Sequence, residues 1–283
     1  MSDEDPIPPP GDAVSDVRHP TPSAQALQPR ALPPRRVDPR AGRPWGLWAT
    51  VGWMFALLVV WHGLRAVLAF ITGGVLAHMA AASTAESSES LFSHNFGLIT
   101  SLWGLALAPP MLAVIALLSA VRRDLSIRDY LAIVPPSPKQ AAGWMLGMVA
   151  VTGAGQLALN VSGFEPAVNY GRLIYETAPL VWLLLGVCVA APVLEEMWMR
   201  GFLYGGLAAS SVGPLGAILL TTVLFTLMHT HYEWPFLLTV LALGLYLGIV
   251  RWRTGSTVLA ILCHATANLY YVASAAVEVH LFA

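Results

Sequence analysis

The sequence predicts an all-α fold: a polytopic transmembrane helical bundle of about seven spans, within a range of six to eight, with a buried polar site. Two observations predict it. Of the 283 residues, 56% are hydrophobic and 11% are charged, and the mean hydropathy is +0.64, whereas soluble domains carry about 25% charged residues. The apolar residues also form seven runs, each near the roughly 20 residues that cross a bilayer: 46–76, 96–120, 141–160, 178–206, 213–231, 235–251 and 256–278.

The segment before the first run, residues 1–44, contains eleven prolines and shows no hydrophobic periodicity. Such a segment buries too little apolar surface to offset the entropy lost on ordering. We therefore expect a disordered Pro/Arg-rich cytoplasmic tail. It lacks the short apolar region and cleavage site of a secretory signal peptide. The rest of the chain divides into amino-terminal transmembrane helices, 45–177, and a second helical part, 178–279.

Basic residues mark one side of the predicted membrane protein. They lie before the first run, between the second and third, and after the sixth, whereas the other loops carry mainly glutamates. Basic loops face the cytoplasm, which predicts a cytoplasmic amino terminus and an external carboxyl terminus. The net charge of -1 gives no field that would attract nucleic acid. Lys139 is the sole lysine, a bias that favours a bacterial genome rich in GC and hence the bacterial inner membrane.

The fourth run holds three charged residues within six positions, Glu195, Glu196 and Arg200. A charge inside a span costs about 2.5 to 3.5 kcal/mol, so each needs a partner or a purpose. Residues four apart share a helix face, which predicts an ion pair between Glu196 and Arg200. Glu195 is rotated about 100° away and is left free to react.

Two further pairs repeat the four-residue spacing, Phe225 with His229 and His264 with Asn268. A single histidine on an apolar helix face is more often a hydrogen-bonded core residue than a catalyst. Two histidines, an asparagine and a glutamate pair in three helices instead favour a site for amide hydrolysis. A carboxylate and an imidazole can share the proton of an attacking water. An N–H of His264 and the amide of Asn268 could hold the resulting oxyanion.

The three motifs in order, Glu-Glu-x-x-x-Arg, Phe-x-x-x-His and His-x-x-x-Asn, resemble the pattern of the CPBP (Abi) family, which includes the type II CAAX prenyl endopeptidases. The resemblance spans roughly residues 178–275, and Gly201 directly after the arginine adds to it. It implies a multi-helix intramembrane protease with a catalytic transmembrane core at 178–279. The substrate would be a membrane-anchored or carboxyl-terminally processed protein in the lipid bilayer.

The resemblance also implies a role for each motif residue. Glu195 and His229 would activate water, while His264 and Asn268 hold the oxyanion. The supporting residues would be Glu196, Arg200 and Phe225.

Zinc is an alternative to metal-free chemistry, because the family has been described both as metalloproteases and as glutamate-type proteases. Glu195, His229 and His264 could bind zinc with an open fourth position. However, the sequence contains no His-Glu-x-x-His motif, and Asn268 is a poor zinc ligand but a good oxyanion donor. We favour the metal-free glutamate type, with no cofactor.

Two further function classes remain open at this stage. One is a non-catalytic membrane scaffold or immunity protein that regulates a partner. The other, less favoured, is a proton-coupled transporter, since buried carboxylates and histidines also relay protons.

Helix lengths predict a difficulty for the catalytic pair. At 1.5 Å per residue, Glu195 lies about 24 Å from Pro179 at the outer face, and His229 about 24 Å from Gly213 at the cytoplasmic face. In a core about 30 Å thick, these depths separate the two side chains. Either Pro192 kinks the fourth helix or the fifth helix begins well below the membrane surface. We favour the second explanation.

Overall fold

Helices make up nearly all of the structure. The computed structural model describes residues 42–82, 87–164 and 169–281, and no β-strand occurs in these ranges. The helices, in chain order, are α1 (Leu47–Ala82), α2 (Ser88–His94), α3 (Phe96–Ala120), α4 (Ile127–Tyr130), α5 (Pro138–Val161), α6 (Tyr170–Glu176), α7 (Leu180–Ala208), α8 (Gly213–Leu227), α9 (Trp234–Thr254) and α10 (Thr257–Leu281).

Six of these helices, α1, α3, α5, α7, α9 and α10, are long and apolar enough to span a membrane. The predicted all-α membrane bundle is confirmed, and six spans fall within the expected range. The fifth apolar run forms the shorter helix α8, which is not among these six. It has 15 residues, or about 22 Å at 1.5 Å per residue, which is less than a full crossing needs. The predicted tail, 1–44, lies outside the described residues except for its last three.

One end of the bundle carries most of the described basic residues, and we call it the basic end. The segment that joins α3 to α5 lies there and includes Arg122, Arg123 and Arg128. The turn from α9 to α10 lies there as well. Gly255 makes this turn with a left-handed φ of 67°, which glycine adopts without steric cost.

Helix α7 departs from regular α-helical winding on both sides of its acidic turn. Leu184–Ala190 and Met197–Leu203 wind as π-helix, and the α-helical turn between them carries Glu195 and Glu196. In a π-helix, each backbone carbonyl accepts a hydrogen bond from the N–H five residues ahead. Such segments are rare and are often found at functional sites. We call them the first and second π segments.

The hydrophobic core lies where α7 meets α9, α10 and the α3–α5 connection. Trp198 and Phe202 of the second π segment are fully buried there, as are Leu247 of α9 and Leu259 of α10. This packing fixes one face of α7, so its acidic turn is held in place from the basic end.

Candidate active site

Glu196, Arg200 and His264 form a buried charged cluster. Arg200 Nη1 donates to Glu196 Oε1 at 3.1 Å, and His264 Nδ1 donates to the same oxygen at 2.8 Å. The Glu196 and Arg200 side chains are fully buried, and that of His264 is 5% exposed. The ion pair expected from the four-residue spacing is present, and it holds the ring of a histidine from another helix.

Arg200 is anchored on two further groups. Its Nη2 donates to the Gly244 carbonyl of α9 at 2.8 Å, and its guanidinium carbon lies 5.0 Å from the centre of the Phe225 ring. An added Cβ at Gly244 would lie 3.5 Å from Arg200 Nη2 and 3.0 Å from the Thr222 methyl. The buried cation therefore has a carboxylate, a carbonyl and an aromatic face as partners, which together offset its desolvation.

The second ring nitrogen of His264 faces Glu195. The Nε2 atom lies 3.9 Å from Glu195 Oε2, a distance too long for a hydrogen bond. Because Nδ1 carries the hydrogen that goes to Glu196, Nε2 of the neutral ring holds a lone pair. The Glu195 side chain is 20% exposed, and its Oε2 has no hydrogen-bond partner among the described residues. Glu195 is therefore the carboxylate of the two that is available to react.

His229 is oriented by the end of its own helix. Its Nδ1 donates to the Phe225 carbonyl at 2.7 Å, so Nε2 of the neutral ring carries a lone pair. The Phe225 ring lies 4.6 Å from the His229 ring and 5.6 Å from the His264 ring. In the described part of the chain, no hydrogen bond or ion pair joins His229 to Glu195. The pairing of these two side chains stays a prediction.

The Phe225 and His264 rings bear on the depth of the fifth helix. Phe225 lies twelve residues after Gly213, about 18 Å along α8, whereas His264 lies seven residues after Thr257, about 10 Å along α10. Their rings are nevertheless 5.6 Å apart. The reach of the two side chains therefore spans a difference of about 8 Å in counted depth. Ile218 and Thr222 of α8 lie against Gly248 and Gly244 of α9. A fifth helix that begins below the membrane surface stays a prediction.

Asn268 contacts the first π segment. Its Nδ2 donates to the Val187 carbonyl at 2.8 Å. A carboxamide nitrogen carries two hydrogens, so a second N–H remains for another acceptor. Asn268 therefore stabilises the backbone of α7 and keeps one donor for a ligand.

A cavity of about 960 Å³ brings the predicted residues together. Phe225, His229, His264 and Asn268 line one end of it, which we call the inner end. Glu195 is not among the lining residues, but its carboxylate lies beside the lining ring of His264. The volume falls in the range of ligand-binding clefts in proteins.

Tyr232 belongs to the site but was not singled out in the sequence. It lines the cavity, and its ring lies 6.0 Å from that of His229. Burial, together with the nearby Glu195 carboxylate, raises the pKa of Tyr232 to about 12. The phenol therefore stays protonated near neutral pH and can donate a hydrogen bond. Its position three residues after His229, in an aromatic turn, was the available signal.

Arg251 is a second residue that belongs to the site. It lies inside α9, one turn before Gly255, and not in the loop that follows the sixth apolar run. Its Nε donates to the Arg200 carbonyl in the second π segment at 2.9 Å. The helix stop at Gly255 indicates that the arginine still belongs to the helix, and this signal was present in the sequence.

The alternative zinc site does not fit the observed geometry. Across residues 42–82, 87–164 and 169–281, no three His, Cys, Asp or Glu side chains are placed to hold a metal ion. Glu195, His229 and His264 include one close pair, Glu195 with His264, and the His229 ring packs against the Phe225 ring.

Comparison with known families identifies this part of the chain. Residues 177–270 match a family described as type II CAAX prenyl endopeptidase Rce1-like. These residues form an Rce1-like domain. The domain contains all of the predicted catalytic and supporting residues, and the predicted resemblance to the CPBP (Abi) family is confirmed. No curated protein and no solved structure matches the chain.

The chain combines an Rce1-like domain with six candidate membrane spans. The chain is an integral membrane protein. The match of this domain to that family implies an intramembrane protease, and hence a protein substrate in contact with the lipid bilayer.

Proposed function

We propose that this chain is an intramembrane endopeptidase of the glutamate type, in which Glu195 and His229 activate the attacking water. One arrangement carries the proposal: the buried Glu196–Arg200 pair holds His264 beside Glu195 at the inner end of the cavity. A structural ion pair needs no second carboxylate. Glu195 Oε2 and Glu196 Oε2 are both buried without a hydrogen-bond partner among the described residues, which costs free energy. Glu196 is the one paired with Arg200 and is 0% exposed, whereas Glu195 is 20% exposed, so the catalytic role is assigned to Glu195.

The proposed first step is attack of water on the substrate carbonyl carbon. The Glu195 carboxylate accepts one water proton, and the Nε2 lone pair of His229 accepts a hydrogen bond from the other. A new C–O bond forms, and the carbonyl π electrons move to the oxygen. The tetrahedral intermediate collapses when the peptide C–N bond breaks, and the proton held by Glu195 passes to the leaving amine.

The oxyanion is proposed to lie between His264 and Asn268. Asn268 offers the N–H that Val187 does not use. His264 offers an Nε2–H only when both ring nitrogens are protonated, because Nδ1 already donates to Glu196. Glu195, 3.9 Å from that nitrogen, is placed to lend it the proton taken from water while the intermediate lasts, and to take the proton back before it passes to the leaving amine. Glu196 then faces the imidazolium and stabilises it.

The setting of the reaction follows from the charge pattern. We assign the basic end to the cytoplasm of a bacterium and the amino terminus to the same side. The substrate is a membrane-anchored or carboxyl-terminally processed protein.

The proposal predicts that Glu195→Gln abolishes proteolysis without loss of the folded protein. The change removes the acceptor of the water proton but keeps the size of the side chain. The measurement compares the peptide termini of membrane proteins in cells that express wild-type protein, Glu195→Gln or no protein. Termini that depend on the wild-type chain should be missing in both other samples.

Glu176→Gln serves as the matched control, because Glu176 is an exposed glutamate paired with Arg172 outside the cavity inner end. It should leave the termini unchanged. Equal amounts of the three proteins in the membrane exclude a folding defect. If Glu195→Gln yields the same termini as wild type, the protease assignment is wrong and a non-catalytic scaffold is favoured.

A further inference from the structure

The cavity extends from the candidate catalytic residues toward the end of the bundle opposite the basic end. Along α10, its lining runs from His264 to Glu278, fourteen residues or about 21 Å. The remaining lining comes from the end of α5 and the residues after it, from α6, from the α8–α9 turn and the first half of α9, and from Val187 of α7 and Phe225 of α8. Asn160, Asn169 and Val277 line its far part and are exposed. The cavity therefore opens at that far end, which we call the mouth.

The basic end of the same site is closed by the chain segment between α4 and α5. Tyr130 is 2% exposed and stacks on Phe202 with ring centres 5.4 Å apart. The Leu131 carbonyl accepts a hydrogen bond from the Thr257 hydroxyl at 2.7 Å, and the Ala132 carbonyl accepts one from the Thr257 N–H at 3.0 Å. This segment, residues 130–134, is hereafter the closing segment.

The backbone of the closing segment is held tightly in this position. Ala132 has a φ of 50°, a left-handed conformation that costs a residue other than glycine roughly 1 to 2 kcal/mol. It is also buried. Tertiary contacts with Thr257 must offset this cost, so the closing segment is a fixed part of the fold.

The helix surface between the closing segment and the site is fully packed. On α10, Leu259, Ala260 and Cys263 lie between Thr257 and His264, and each is 0% exposed. On α7, Trp198 and Arg200 are likewise 0% exposed. Among the described residues, the cavity therefore extends from the candidate catalytic residues in one direction only, toward the mouth.

We infer that the substrate reaches this site from the side of the membrane opposite the basic end, the extracytoplasmic side. The inference rests on the proposed protease and deepens it by naming a substrate class: membrane-bound proteins whose scissile segment lies at the extracytoplasmic surface. Cytoplasmic tails would meet the closing segment instead. The cavity accepts a chain segment inserted end-on or as a loop from the mouth.

The lining fits an extended apolar peptide. A length of about 21 Å holds roughly six residues at 3.3 to 3.6 Å each. Tyr170, Phe236, Tyr270 and Tyr271 present aromatic rings along the way, and Asn160 and Asn169 supply amide groups near the mouth. Aromatic walls pack against apolar side chains, and amides bond an extended backbone.

The test measures from which side of the membrane a water-soluble thiol reagent reaches the cavity. The two cysteines of the chain, Cys188 and Cys263, are both buried, so Cys188→Ala with Cys263→Ala gives a background for single new thiols. Ser274→Cys places a thiol in the cavity lining and Asn268→Cys places one at the inner end. Lys139→Cys places the control thiol at the exposed start of α5, at the basic end.

A small, charged methanethiosulfonate reagent is added to intact cells that express the full chain, and then to permeabilised cells. We expect Ser274→Cys and Asn268→Cys to react in intact cells, and Lys139→Cys to react only after permeabilisation. The reverse pattern overturns the inference. Reaction of Ser274→Cys without reaction of Asn268→Cys in intact cells also overturns it, provided that the Asn268→Cys protein is folded and reacts after permeabilisation. If that protein is not folded, the Ser274→Cys result together with the cleavage arm decides.

A cleavage arm separates this inference from the proposed function. A bulky maleimide on Ser274→Cys should abolish formation of the Glu195-dependent termini, whereas the same adduct on Lys139→Cys should leave them unchanged. If the termini persist with the Ser274 adduct, entry by the mouth is wrong although the protease stands. If external thiol labelling succeeds but no termini depend on Glu195, the access route stands and the proteolytic function is wrong.

Discussion

The buried Glu196–Arg200 pair makes a quantitative prediction, because the chain contains a matched exposed pair. Arg172 and Glu176 have the same four-residue spacing and a 2.9 Å contact, but their side chains are 40% and 39% exposed. Both side chains of the buried pair are 0% exposed. The two pairs therefore differ mainly in their exposure to solvent.

Arg200→Met should destabilise the protein far more than Arg172→Met. Methionine has nearly the length of arginine but no charge, so Arg200→Met leaves the Glu196 carboxylate buried with His264 as its remaining partner. Breaking a buried pair from one side costs about 3 to 5 kcal/mol. An exposed pair contributes about 0 to 1 kcal/mol. For a chain of this size, 1 kcal/mol moves the Tm by about 2 to 4 °C, so Arg200→Met should lower the Tm by roughly 6 to 20 °C.

The assay is thermal unfolding of the purified protein in detergent, at one protein concentration and one scan rate for every variant. A double variant, Arg200→Met with Glu196→Gln, adds a second criterion. It should be more stable than Arg200→Met alone, since it no longer buries an unpaired carboxylate. If Arg200→Met lowers the Tm no more than Arg172→Met does, the buried charge is not what holds α7 in place and the reasoning fails.

Two further predictions concern the packing of α7 and the metal question. Gly186→Ala would place a Cβ 2.6 Å from the Cα of Ser101 on α3, so it should destabilise the protein by about 1 to 3 kcal/mol. At Gly143→Ala the added Cβ meets no atom within 4 Å, so this variant should be neutral or stabilise by up to about 1 kcal/mol in the same unfolding assay. If Gly143→Ala destabilises the protein more than Gly186→Ala does, the close contact between Gly186 and Ser101 is refuted. Elemental analysis of the purified protein should find far less than stoichiometric zinc, and cleavage should survive a chelator. Stoichiometric zinc that is lost together with cleavage would overturn the glutamate mechanism.

The contacts that the sequence predicted are those within one helix. Glu196 and Arg200 are four residues apart, and helical periodicity alone places them together. The same spacing placed Phe225 near His229, where the structure shows a bond from the imidazole to the Phe225 carbonyl. Local geometry of this kind depends only on helical winding, so a single sequence suffices to predict it.

Helical periodicity does not predict which residues of different helices are in contact. Nothing in the spacing indicates that His264 meets Glu196 and not another acceptor, because the two lie 68 residues apart. The depth count also assumed helices that begin at equal levels. The Phe225 and His264 rings meet although their counted depths differ by about 8 Å, because side-chain reach and helix packing are not encoded in the length of an apolar run.

The winding of α7 gives Asn268 a double role that bears on how its variants are interpreted. In lipid, a backbone carbonyl without a partner costs several kcal/mol. Each π segment has a carbonyl that accepts a hydrogen bond from another helix, Val187 from Asn268 and Arg200 from Arg251. The acidic turn with Glu195 is therefore clamped on both sides by side chains outside α7. Loss of activity in Asn268→Ala would combine a lost oxyanion donor with a relaxed π segment. Arg251→Met relaxes the second π segment and removes a cation–π contact with Tyr204, but it leaves both oxyanion donors in place. Activity lost in Asn268→Ala beyond that lost in Arg251→Met is therefore assigned to the oxyanion donor.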